Sequence, residues 1–180
     1  ELAAAEAGRK LSPSEVSRFW ITKSFAWIRE DPAGWLALIV RKAGLLVNAY
    51  GLPDADDIYF YERYAGVLRW PFFVLHMGTL LPFAVLGLAL AWSRRREIVP
   101  LHLVLAVLSA GVVLFYVFAR YRYPVVSVLL VFAGAGLVEG ARRVRAGEWR
   151  RLALPFALAA LAAVAANAWR PYARDASLTA

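Results

Sequence analysis

The chain has 180 residues and no cysteine; 61% of the residues are hydrophobic and the formal net charge is +8. Apolar content this far above the roughly 45–50% of soluble domains marks an integral membrane protein, and the absence of cysteine excludes disulfides and thiolate metal sites. The charge does not point to nucleic acid. Residues 1–70 hold nine Lys/Arg and nine Asp/Glu, so the whole surplus falls in the apolar part of the chain, where basic loops between apolar segments are a topology signal.

In chain order, residues 1–10 read as an Ala-rich helix end that stops near Gly8. Ser12-Pro13-Ser14-Glu15 opens a new helix: Ser12 as cap, Pro13 at the first helical position, Glu15 closing a capping box. Its apolar positions include Val16, Phe19, Trp20 and Trp27 at helical spacing. Asp31-Pro32 repeats the start signal. The segment that follows, Ala33 to Tyr50, is apolar apart from Arg41 and Lys42. Two cations near its centre would cost about 2.5–3.5 kcal/mol each in a spanning helix. It therefore reads either as a helix lying in the membrane interface or as an ordinary amphipathic core helix.

A turn at 51–57 carries Asp54, Asp56 and Asp57, carboxylates of the type that bind a divalent cation, or simply a solvated loop. Tyr59, Phe60, Tyr61 and Tyr64 follow; they could stack on a sugar, line a lipid groove or form an interfacial aromatic belt. Four spanning segments are expected next, near 71–92, 98–118, 124–138 and 152–169, the last interrupted by Pro155 and Asn167. Gly136 and Gly140 make a small-residue pair that permits close helix approach. The two histidines, His76 and His102, fall toward opposite membrane faces and offer no shared metal site.

Between the second and third segments lies Phe118-Ala119-Arg120-Tyr121-Arg122-Tyr123-Pro124, with Pro124 suited to open the next helix. This hairpin brings two guanidinium groups to the membrane surface. Such a pair fits a lipid-linked phosphate; it fits equally a pair of snorkelling arginines beside an interfacial tyrosine belt. The opposite loops, 94–96 and 142–151, hold eight arginines, which the positive-inside rule assigns to the cytoplasm. The hairpin, residues 1–70 and the C-terminus are then extracytoplasmic. A polar region of about 70 residues needs an upstream membrane segment to cross, so the chain is expected to be the C-terminal piece of a larger multi-pass protein of the inner (plasma) membrane. The expected fold is all-α: an extracytoplasmic helical region over 1–70, a four-helix membrane region over 71–169 and a tail or linker over 170–180.

The hairpin, with Glu15 to Trp20, Trp27-Ile28-Arg29, Asp31-Pro32, Trp35-Leu36, Arg41-Lys42, Asn48 and Pro53-Asp54 upstream, resembles the late membrane part of bacterial glycosyltransferase-39-like proteins. These belong to the GT-C superfamily, with the protein O-mannosyltransferases and the lipid A aminoarabinose transferases. Ser127 stands where the family commonly has a second proline, and Gly51 where many relatives have a Glu. The resemblance implies transfer of a sugar from a polyprenyl-phosphate carrier to an extracytoplasmic acceptor. It implies that Arg120 and Arg122, helped by Lys42 or Arg41, neutralise the carrier phosphate, with Tyr121, Tyr123, Tyr59 and Tyr61 as sugar or lipid contacts. The catalytic Asp of that superfamily lies in a first extracytoplasmic loop that is not in this chain. The rival class is a non-enzymatic assembly or transport subunit, which needs only helix packing and an interfacial region.

Overall fold

The computed structural model describes residues 2–54, 64–67 and 76–169. Among these residues the regular structure is entirely helical, without strands. The elements are α1 (Leu2–Ala7), α2 (Pro13–Glu30), α3 (Pro32–Val47), α4 (Met77–Leu90, continued by a 3-10 turn Ala91–Arg94), α5 (Val99–Leu114), α6 (Ala119–Arg145) and α7 (Trp149–Asn167). Residues 1–41 and 42–180 form two compact units, so the division falls inside α3. The boundary expected near residue 70, Asp56, Asp57, Tyr59, Tyr61 and the tail 170–180 lie outside the described residues.

The first unit follows its cap signals. Gly8 ends α1 at φ +67°, a conformation that costs a residue without Cβ little. The Ser12–Glu15 capping box forms in both directions: the Ser12 hydroxyl accepts from the Glu15 amide, and the Ser12 amide donates to the Glu15 carboxylate at 2.8 Å. Arg9 adds an ion pair to Glu15 at 2.8 Å. Its hydrogen bond, with those from Ser12, lowers the Glu15 pKa to about 2. Asp31 closes α2 through its amide and caps α3 through its carboxylate, which accepts from the Gly34 amide at 2.8 Å. The α2 side chains Trp20, Ile21, Phe25 and Trp27 are exposed.

The second unit holds the apolar helices. Met77–Arg94, Ala119–Arg145 and Trp149–Asn167 are each long and apolar enough to cross a membrane. α5 has 16 residues, about 24 Å at 1.5 Å per residue, against a hydrocarbon thickness of about 30 Å. The structure thus yields three candidate spans and one short apolar helix where the sequence reads as four spans. The third segment is also longer than expected: α6 runs 27 residues and starts at Ala119. The break in the chain lies at 115–118, with Phe118 extended at ψ 157°, so the arginine hairpin is not itself the turn. Arg120 to Tyr123 occupy the first turns of α6, and Pro124 lies inside the helix rather than at its start. A proline this near an N-terminus removes one ladder bond while leaving the rest of the helix intact.

α4 packs most extensively on α6 and next on α7. The α4–α6 contact is a backbone approach. A Cβ added at Gly136 would meet the Gly87 amide nitrogen and the Phe83 carbonyl oxygen at 2.6 Å. One added at Gly87 would meet the Phe132 carbonyl at 1.9 Å. Gly140, the other half of the expected small-residue pair, has only Leu86 and Leu90 side-chain carbons opposite, at 3.5 Å and beyond. Close approach therefore rests on Gly136 and on Gly87 across from it. α5 lies along the first half of α6: His102, near the start of α5, sits against Phe132 at the middle of α6, with ring centroids 5.5 Å apart. Gly147, at φ +71°, turns α6 into α7.

Candidate functional site

The residues that carry chemistry gather where α3 ends, α6 begins and α7 ends. α3 stops at Val47, leaving its last carbonyls without helical partners. Arg122, from α6, holds the carbonyls of the segment that follows α3. Its guanidinium donates to the Asn48 carbonyl at 2.5 Å and to the Tyr50 carbonyl at 3.0 Å, and the residue is only 4% exposed. A cation at a helix C-terminus also meets the negative end of the helix dipole. Asn48 is itself 1% exposed. Its side-chain amide donates to the Trp169 carbonyl at 2.6 Å, and its side-chain oxygen accepts from the Tyr50 amide at 2.8 Å. The Ala49 amide donates to the Ala166 carbonyl at 2.9 Å, tying the same segment to α7 a second time.

Arg120 differs from Arg122 in every respect that matters for a ligand. Its side chain is 60% exposed. It forms an ion pair with Asp54, donates to the Tyr121 hydroxyl at 3.3 Å and lies over the Tyr121 ring at 5.1 Å. Tyr121 belongs to an aromatic group with Tyr116 and Phe118, with centroid distances of 6.1–6.4 Å. Tyr123 is exposed. The Leu52 carbonyl accepts from the Ala119 amide at 2.9 Å, fixing the start of α6 against the 48–54 segment. Lys42 donates to the Phe115 carbonyl at 3.2 Å, at the turn that precedes α6. Arg41 is exposed and falls in the other compact unit.

Of the residues expected to face a phosphate, the structure therefore brings Arg120, Arg122 and Lys42 to the same stretch of chain, 42–54 against 115–122. It gives them different work: Arg122 and Lys42 hold backbone carbonyls, and Arg120 presents its guanidinium at the surface. Asp54, a metal candidate by sequence, has Arg120 as its partner. Among the described residues no three His, Cys, Asp or Glu side chains cluster as metal ligands. His76 caps α4, its Nδ1 accepting from the Gly78 amide at 3.0 Å.

Three contributors to this end of the bundle escape a reading of the sequence for charged groups: Tyr116, Phe118 and Asn167. The Asn167 amide donates to the Gly78 carbonyl at 3.2 Å, the acceptor that Pro82 leaves without its helical N–H. A proline inside an apolar helix together with a lone Asn in an Ala-rich one is the available signal for that pairing. Comparison of the chain with family models, with curated proteins and with solved structures returns no match.

Proposed function

We propose that the chain is the membrane-embedded C-terminal part of a glycosyltransferase that moves a sugar from a polyprenyl-phosphate carrier to an extracytoplasmic acceptor. One observation carries this reading: the exposed guanidinium of Arg120 beside the Tyr116–Phe118–Tyr121 group, on a helix start anchored by the buried Arg122. A fixed cation flanked by aromatic faces matches a phosphate joined to a sugar or a prenyl chain. In the reaction the acceptor attacks the anomeric carbon, the bond from that carbon to the phosphate oxygen breaks, and the carrier phosphate leaves with the electron pair. Arg120 stabilises the charge that builds on that oxygen, exchanging Asp54 for the phosphate as its partner. The resemblance assigns the base that takes the acceptor proton to a segment outside these residues.

This end of the bundle then faces away from the cytoplasm, in the inner (plasma) membrane, because the opposite end carries the eight loop arginines. In four-span form α5 is completed by its flanking residues. Cysteine substitution tests the orientation: Ser93 should label from the cytoplasm and Ser14 from outside, and the reverse pattern would refute it. The catalytic role is tested in membranes containing the full-length protein and a polyprenyl-phosphate sugar. Arg120→Lys should lower turnover by the equivalent of about 1.5–3 kcal/mol, one charged hydrogen bond, at unchanged thermal stability. Undiminished turnover would refute it. The second reading, a non-enzymatic membrane module, is favoured by Arg122, whose guanidinium donates to two backbone carbonyls and so ties chain segments together.

A further inference from the structure

The opposite end of the bundle holds an open depression of about 320 Å³ lined by Trp92, Arg95, Arg96, Val99 and His102. It forms a step between the 3-10 turn that ends α4 and the first turns of α5. Its cationic rim is uncompensated. The eight arginines of this end, at 94–96 and 142–151, face three glutamates in or beside those stretches, Glu97, Glu139 and Glu148. Glu97 is held by Arg94 at 2.7 Å, Glu139 by Arg142 and Arg143 at 2.8 and 2.6 Å, and Glu148 by Arg151 at 3.4 Å. Arg95 and Arg96 have no carboxylate partner among the described residues. Arg95 is instead posed by its bond to the Trp92 carbonyl at 3.2 Å and by the Trp92 ring, 5.3 Å away.

The floor of the step is apolar and leads onward. Trp92 and Val99 are exposed, and Leu103 and Val107 continue the exposed stripe along α5 at four-residue spacing. A cationic rim above an apolar track has the polarity of a phospholipid: phosphate on the rim, acyl chain on the track. A free phosphate would use the rim alone.

We propose that this step binds an anionic phospholipid, its headgroup phosphate on Arg95 and Arg96 and an acyl chain along Val99, Leu103 and Val107. The site rests on the end of α4 and on α5 and is independent of the glycosyltransferase reading. The full chain is reconstituted in phosphatidylcholine bilayers with and without phosphatidylglycerol, and retained lipid is counted by native mass spectrometry. Phosphatidylglycerol should be retained in preference to phosphatidylcholine. The Arg95→Gln/Arg96→Gln variant should lose that preference, by roughly thirtyfold in affinity for two arginines at an anionic surface. Arg150→Gln/Arg151→Gln removes the same charge from the same end outside the step and should keep the preference. Equal retention by the first variant, or equal loss in the second, would overturn the site, and displacement of the lipid by glycerol phosphate would overturn the acyl-chain track. Should the first variant fail to fold, quenching of tryptophan fluorescence by brominated phosphatidylglycerol decides. Trp92→Phe should remove a component of that quenching, and unchanged quenching would refute the site.

Discussion

Arg122 donates to the carbonyl of Asn48, 74 residues away in sequence, and both residues are buried. That bond joins the end of α3 to the start of α6, and the Asn48 side chain extends the link to Trp169 beyond α7. The two arginines of Arg-Tyr-Arg-Tyr thus divide into an anchor and a surface group, and the division has measurable consequences.

Arg122→Lys should destabilise the membrane unit and Arg120→Lys should not. A lysine cannot serve two carbonyls with one planar fork, and each buried acceptor left open costs about 1–3 kcal/mol. Arg120 is mostly exposed and its ion pair contributes little to stability. Denaturation of the purified protein in detergent, followed by circular dichroism, should separate the two variants; equal stabilities would contradict the anchor role of Arg122.

The three glycines of α6 should respond unequally to alanine. Gly136→Ala pushes a methyl against the α4 backbone, where nothing can turn aside, and should cost about 1–3 kcal/mol or more. Gly140→Ala meets only leucine side-chain carbons and should cost little, while Gly134 has open space and should be neutral or slightly stabilising in a helix. The same denaturation assay ranks them, and a Gly140→Ala loss as large as that of Gly136→Ala would place the close contact wrongly.

Local chemistry was legible where it is local. The Ser12–Glu15 box, the Asp31 cap and the Gly8 stop are read from neighbouring residues, and each forms. The helix ends around the arginines were not legible. Pro124 reads as a helix start, yet α6 begins at Ala119 because the Ala119 amide and the Arg122 guanidinium find partners in residues 48–52, contacts that no spacing rule encodes. The partition of work between Arg120 and Arg122 was hidden for the same reason: burial depends on which face of α6 meets the 48–54 segment. Gly136 could be flagged from the sequence, but its partner Gly87 requires the register of α4 against α6.

The start of α2 should be acid-sensitive in a defined window. Glu15 has its pKa lowered from 4.5 to about 2 by Arg9 and by the Ser12 cap. A folded-state pKa below the unfolded value means that the carboxylate contributes stability above pH 4.5 and loses it as pH falls toward 2. NMR titration of the Glu15 carboxyl carbon should give a midpoint near 2 in the wild type, moving up in Arg9→Gln; a midpoint at the ordinary glutamate value in both would refute the arrangement.

Pro82 and Asn167 should be coupled. Pro82 has no N–H, so the Gly78 carbonyl one turn earlier has no ladder donor, in a helix that packs among apolar side chains. Asn167 supplies the donor from α7 at 3.2 Å while also bonding the Ala163 carbonyl of its own helix at 2.8 Å. Asn167→Ala alone leaves the Gly78 carbonyl open. Pro82→Ala alone restores a ladder N–H, so the carbonyl no longer depends on α7. In the double variant the loss of Asn167 should therefore cost less than it does beside Pro82. The difference expected from interhelical hydrogen bonds in membrane proteins is about 0.6 kcal/mol and at most about 1.7. A double-mutant cycle on unfolding in mixed detergent measures it. Strict additivity would mean that the Asn167–Gly78 bond does not compensate for the proline, and that Asn167 holds α7 in place only through packing against Gly78, where an added Cβ would lie 2.5 Å from its side-chain oxygen.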